Sequence, residues 1–188
     1  MISGEVDSAG WLRGVRREPS PNFDDRPDSE RPSLLVVHAI SLPPGEFGSD
    51  DVLALFANRL VPERHPYFQE IFQLRVSAHF FIPRDGELVQ LVSCDKRAWH
   101  AGISCWQGRE RCNDFSIGVE LEGCDEKPFE AMQYATMARL ADILAEHYPL
   151  LCMVGHSDIA PGRKTDPGPF FEWSRLSCRA LRHAGTTP

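Results

Sequence analysis

Apolar residues change rhythm from one stretch of this chain to the next, and each rhythm predicts an element. The run Ser33-Leu34-Leu35-Val36-Val37 is apolar and partly β-branched, with no alternation of polar residues. It predicts a central strand buried on both faces, ending at His38. Val76 to Ile82 and Glu87 to Val92 are two further strand-like runs around Arg84-Asp85-Gly86, and the Asp-Gly pair predicts a β-hairpin. Phe115 to Leu121 alternates in strand fashion and brings Glu120 near a strand end. From Phe129 to Tyr148 the period becomes helical: Tyr134, Met137, Ala141, Leu144 and Tyr148 follow at spacings of three and four, until Pro149 stops the helix. Two shorter helices are predicted, from Asp50 (as N-cap) to Leu60 and from about Glu172 to His183. Leu150 to Val154 reads as a last strand that delivers His156 at its end. The Pro and Gly residues that follow predict no helix until after Pro169.

Strands and helices are thus mixed, with a hairpin inside the series. The expected fold class is α/β: a single domain with a central mixed β-sheet flanked by α-helices on both faces. The ends of the strands near His38 and Glu120 and the loop at His156 are expected to meet at one edge of the sheet. Residues 1–30 are polar and carry Pro19, Pro21 and Pro27, and predict an irregular arm held by Trp11, Leu12 and Phe23. The domain proper is expected over 31–183, with a loose tail over 184–188.

Composition narrows the function classes. Twenty-seven acidic residues against 20 basic ones give a net charge of -7, which argues against nucleic acid as the partner. The first thirty residues intersperse charges and prolines, so no apolar signal-peptide core is present there, and the expected location is the cytoplasm. The runs Leu34 to Ile40 and Ile71 to Ile82 are too short or too interrupted to span a membrane. Six cysteines without a C-x-x-C pair are expected to be free thiols.

Candidate chemistry concentrates in Val154 to Gly168, which holds His156, Lys164 and Asp166. Lys164 and Asp166 are two apart and would leave one face of an extended segment. With His38 they offer two imidazoles and a carboxylate, the ligand set of an open catalytic zinc site. Seven histidines allow many accidental pairs, however, and a lone loop histidine is more often simply hydrogen-bonded.

The wording around these residues points further. Val36-Val37-His38 with Ser41-Leu42-Pro43-Pro44-Gly45, Arg75-Val76-Ser77-Ala78-His79, Lys96 to Gly102, Cys112 to Gly123 and Lys164-Thr165-Asp166-Pro167-Gly168 closely resemble the zinc N-acetylmuramoyl-L-alanine amidases. Within that family they resemble the cytosolic branch that recycles anhydro-muropeptides, and the likeness covers nearly the whole chain. The resemblance implies one zinc ion on His38, His156 and Asp166, with Glu120 as the catalytic acid/base and Lys164 stabilising charge on the carbonyl oxygen. It also implies substrate binding by Arg75, Trp99, Arg111 and Arg163. The implied partner is an anhydro-muropeptide cut between the lactyl group and L-alanine, by a monomer without membrane or nucleic-acid partners. Loss of such an enzyme would alter β-lactamase induction. Two readings compete: a wall-lytic amidase acting on intact peptidoglycan, and a module that binds muropeptides without cutting them. Two departures stand out. Ala39 replaces the asparagine usual in the branch, and Ala78 stands where phage-type relatives carry a tyrosine. His79 is expected to be structural, and His100 is expected to line the cleft and contact the sugar.

Overall fold

Leu34 to Val37 have almost no contact with water, and the reason is visible on both sides of the strand. Leu35 and Val37 pack with the long helix, while Leu34 and Val36 pack with Phe115, Val154 and Ile159 on the opposite face. The computed structural model describes residues 4–28 and 30–185. Among them the strands are β1 (Arg16–Arg17), β2 (Phe23–Asp25), β3 (Leu34–Ile40), β4 (Phe80–Ile82), β5 (Val89–Gln90), β6 (Lys96–Ala98), β7 (Cys105–Trp106), β8 (Arg109–Glu110), β9 (Ser116–Glu122) and β10 (Cys152–Gly155). The α-helices are α1 (Asp51–Phe56), α2 (Pro66–Ile71), α3 (Ala131–His147) and α4 (His156–Ile159).

The main sheet has the order β1-β5-β4-β9-β3-β10. Only the β4–β5 pair is antiparallel, with Phe80 opposite Gln90, so the sheet is mixed as expected. Gly86 turns this hairpin at φ 78, where a Cβ would also meet Met132 at 2.7 Å. Helix α3 covers one face of the sheet; α1 and α2 cover part of the other, against Phe81, Val89 and Leu91.

Helix α3 is pinned where it matters for the site. The Gln133 side chain accepts from the Glu130 N–H and donates to the carbonyls of Ile82 and Glu122, tying the start of the helix to the ends of β4 and β9. The stripe Tyr134, Met137, Ala141 and Leu144 is buried as its spacing predicts.

Several expectations are corrected. The arm is not wholly irregular: β1 extends the main sheet and β2 pairs with β6. Leu12 is buried, but Phe23 is 41% exposed. Arg26 also ties the arm down, donating to the carbonyls of Cys94, Asn113, Asp114 and Ser116. Helix α1 ends at Phe56, short of Leu60, where Asn58 enters the left-handed region. The Asp50 side chain caps nothing; Ser49 Oγ accepts the Asp51 N–H instead. A one-turn helix, α4, does begin at His156 before Pro161, because Asp158 reaches back to accept the Gly155 N–H. The helix expected over Glu172 to His183 is absent apart from a 3₁₀ turn at Trp173–Arg175. Extended backbone there satisfies its polar groups elsewhere: Arg179 and Ala180 donate to Asp142, and residues 182–184 run along β10 through Met153. Of the expected tail, residues 186–188 lie outside the described residues, as do 1–3 and 29 of the arm.

Candidate metal centre and active cleft

Strands β3 and β9 run parallel with His38 opposite Glu120. On the other side of β3, the last residue of β10, Gly155, lies opposite Val37. The chain therefore leaves β10 beside His38, and His156 opens α4 there. The loop after α4 returns to the same place, since Ser157 N–H donates to the Asp166 carbonyl at 2.9 Å. The carboxyl ends of parallel strands are where α/β sheets usually hold ligands.

Three ligand-type atoms converge. His38 Nδ1 lies 2.9 Å from His156 Nδ1, and Asp166 Oδ2 is 3.1 Å from each. His38, His156 and Asp166 thus form a group able to hold a metal ion. The tautomer of His156 supports this. Its Nε2 lies 3.2 Å from the Ala101 carbonyl oxygen, which can only accept, so Nε2 carries the proton and a neutral ring leaves a bare lone pair on Nδ1. Burial pushes the His38 pKa down to about 4, so that ring is neutral. A proton or a metal cation is needed to satisfy such a set. Ligands of a tetrahedral metal with bonds near 2.0–2.1 Å stand roughly 3.3 Å apart, close to the observed spacing.

Glu120 is the other unusual group. Its side chain is nine-tenths buried, and Oε2 has no hydrogen-bond partner among the described residues. Burial holds its pKa well above the ordinary carboxylate range, Asp166 adds to the shift, and Lys164 partly offsets it. Glu120, His156, Lys164 and Asp166 all line one cleft of about 380 Å³, whose remaining wall includes Leu55, Phe56, Ile71 and Trp99. A metal group, a raised carboxyl and an ammonium therefore face a half-apolar groove, a combination suited to splitting a polar bond within a larger substrate.

The other anticipated site residues separate into two places. Trp99 lines the cleft and donates its indole N–H to Asp24 at 3.2 Å. Arg111 and Arg163 line an adjoining hollow instead. Arg111 pairs with Asp114, and Arg163 donates to the carbonyls of Ala101 and Ile103. Arg75 is exposed on a turn, donating to the carbonyls of Phe72 and Leu74. His79 is fully buried between the Gly118 N–H and the Lys96 carbonyl, as a structural histidine should be.

Two residues carry roles that the sequence did not disclose. His100 reaches the cleft wall, but its Nδ1 lies 2.9 Å from His38 Nε2, behind the metal group. Glu122, buried two residues beyond Glu120, accepts from the N–H groups of Gly48 and Arg84, fastening the loop that follows β3. A second glutamate on the same face of a buried strand was the available signal.

A family model described as N-acetylmuramoyl-L-alanine amidase matches residues 28–169. The 1,6-anhydro-N-acetylmuramyl-L-alanine amidase AmpD of Escherichia coli K12 is 60% identical over 169 residues, covering 89% of this chain and 92% of that protein. The protein of the same name from Haemophilus influenzae is 50% identical, covering 88% and 92%. A crystal structure of a selenomethionine AmpD derivative superposes with a TM-score of 0.87 at 57% identity, over 92% of this chain and 97% of that one. The amidase AmiD of E. coli, solved with anhydro-N-acetylmuramic acid-L-Ala-D-γ-Glu-L-Lys, superposes with a TM-score of 0.60 at 29% identity, over 82% of this chain and 64% of AmiD.

Proposed function

The chain belongs to the N-acetylmuramoyl-L-alanine amidase family, and on that premise we propose that it is a zinc amidase of peptidoglycan recycling. In this reading it hydrolyses the lactyl-L-alanine amide of 1,6-anhydro-N-acetylmuramyl peptides in the cytoplasm, as a monomer. The observation that carries the reading is the buried carboxyl of Glu120, unpartnered among the described residues, opening on the same cleft as His156 and Asp166, which group with His38. A module that only binds has no use for a desolvated acid/base beside a metal group, at a cost in stability.

His38 and His156 through Nδ1, and Asp166 through Oδ2, would hold the zinc. When bound, zinc supplies Lewis-acid polarisation of the scissile carbonyl and makes water a better nucleophile at neutral pH. Glu120 takes the proton from the attacking water and returns it to the leaving alanine nitrogen; its raised pKa suits it to hold that proton between the two steps. The Lys164 ammonium stands on the same cleft to oppose the charge that develops on the carbonyl oxygen. Trp99 offers its ring to the sugar. Arg111 and Arg163, in the adjoining hollow, meet carboxylates of the peptide, and the exposed Arg75 is the third cation available to them. Removing the anhydro-muropeptide would also limit β-lactamase induction.

The substrate class is tested by incubating the zinc-loaded protein with anhydro-muramyl-tripeptide and, separately, with intact sacculi, and following free peptide by mass spectrometry. Peptide released from the anhydro substrate alone supports recycling. Comparable release from sacculi would make the protein a wall-lytic amidase, and no release from either would make it a binding module.

A further inference from the structure

Behind His38, on the side away from His156 and Asp166, lies a hydrogen-bond chain with no part in the proton transfers described above. The Ser116 Oγ is 2.5 Å from the Cys112 carbonyl oxygen. A carbonyl only accepts, so the hydroxyl donates, and Ser116 turns a lone pair toward His100 Nε2 at 3.2 Å. That nitrogen must bring the proton. A neutral ring carries only one, so His100 Nδ1 accepts, and its partner at 2.9 Å, His38 Nε2, donates. His38 is left with a bare Nδ1, the atom that stands beside His156 Nδ1 and Asp166 Oδ2.

The chain is built into the fold. Cys112, Ser116 and His38 are almost fully buried, and His100 is nine-tenths buried. The Asn113 side-chain oxygen accepts the backbone N–H groups of both His100 and Ala101, fixing the loop that carries the ring. Gly118, on β9, leaves the space the ring occupies: a Cβ there would overlap His100 Cγ, Cδ2 and Nδ1.

We propose that His100 is a positioning residue, oriented by Ser116 and accommodated by Gly118, which holds His38 in the Nε2–H tautomer and so presents Nδ1 to the metal. This deepens the zinc reading and rests on it. Partners one step behind a metal-bound histidine are worth about 10–100-fold in metal affinity when lost.

Two measurements test it. Long-range ¹H–¹⁵N NMR of the zinc-free protein at neutral pH reads the His38 tautomer directly; a protonated Nε2 and a bare Nδ1 are expected, and the reverse overturns the proposal. Zinc affinity is then measured by competition with a chromophoric chelator for the wild type, His100→Leu, His100→Gln and Ser116→Ala. His100→Leu fills the space without an acceptor and should bind zinc about 10–100-fold more weakly. His100→Gln restores an acceptor oxygen and should regain most of the affinity. Ser116→Ala should show a smaller loss, and it carries the affinity test if His100→Leu fails to fold. Wild-type affinity in folded His100→Leu, or in Ser116→Ala standing in for it, overturns the proposal. If the wild type itself bound no zinc, the metal reading would fall, while the tautomer measurement would still decide what His100 does to His38.

Discussion

His38 and Glu120 face one another across neighbouring parallel strands, β3 and β9. The sheet ladder thus sets the spacing between a metal ligand and the acid/base, with no flexible loop between them. Glu122, farther along β9, secures the loop that follows β3, and Gln133 ties the end of β9 to α3. Functional geometry held on rigid elements in this way should separate cleanly into metal binding and proton transfer when single side chains are changed.

Glu120→Gln keeps the shape of the buried side chain and removes its proton chemistry. The kcat should fall by about 10²–10⁴-fold, as for loss of a general acid/base, while chelator competition shows unchanged zinc affinity. Retained turnover would take Glu120 out of the mechanism.

Lys164→Ala should lower kcat by roughly 10²–10³-fold, the range for losing one donor to a developing oxyanion, with KM changed much less. Lys164→Arg should recover part of the rate. A rise in KM alone would mean that Lys164 binds ground-state substrate.

Gly118→Ala should destabilise the protein by roughly 1–3 kcal/mol, the usual cost of overpacking a core, because the new methyl meets the His100 ring. Urea unfolding of the zinc-free protein measures this. An unchanged midpoint would show that the ring moves aside freely.

His79 gives a pH dependence with a definite sign. Burial, reinforced by Arg26, pushes its pKa down to about 3, below the ordinary 6.5. The unfolded chain therefore binds a proton that the folded chain refuses. Its contribution is complete above pH 6.5 and is lost as pH falls from there toward 3. Between pH 7.5 and 5 that loss is about 2 kcal/mol for this one group. Denaturant midpoints of the zinc-free wild type and of His79→Gln should diverge accordingly, with the shallower pH slope in the variant. Parallel slopes would mean that His79 titrates in the fold as it does in the unfolded chain.

Much of this architecture was legible from residue patterning. The unbroken apolar run before His38 could only be a strand covered on both faces, and the Asp85-Gly86 turn set the hairpin. The two histidines and the aspartate were found through motif wording, because no local spacing connects residues 38, 156 and 166. Tertiary partners were less legible. His100 lines the cleft as expected, but a sequence shows only an imidazole beside Trp99 and not which ring nitrogen meets His38. Arg111 and Arg163 were expected to bind substrate, but their place in a second hollow was not readable from the sequence. The region after Glu172 has helical composition, yet β10 and Asp142 offer its backbone better partners than a helix would. Arg26 lay inside a polar, proline-rich stretch where nothing marked it as the residue that would tie the arm to four backbone carbonyls.

The most direct measurement of the central claim is hydrolysis of anhydro-muramyl-tripeptide in ¹⁸O-labelled water by zinc-loaded protein, with a chelated sample alongside. The account predicts one ¹⁸O atom in the lactyl carboxyl group of the sugar product, an unlabelled tripeptide with a free alanine amine, and no reaction after chelation. Label in the peptide, an intact lactyl amide, or undiminished cleavage without metal would contradict it.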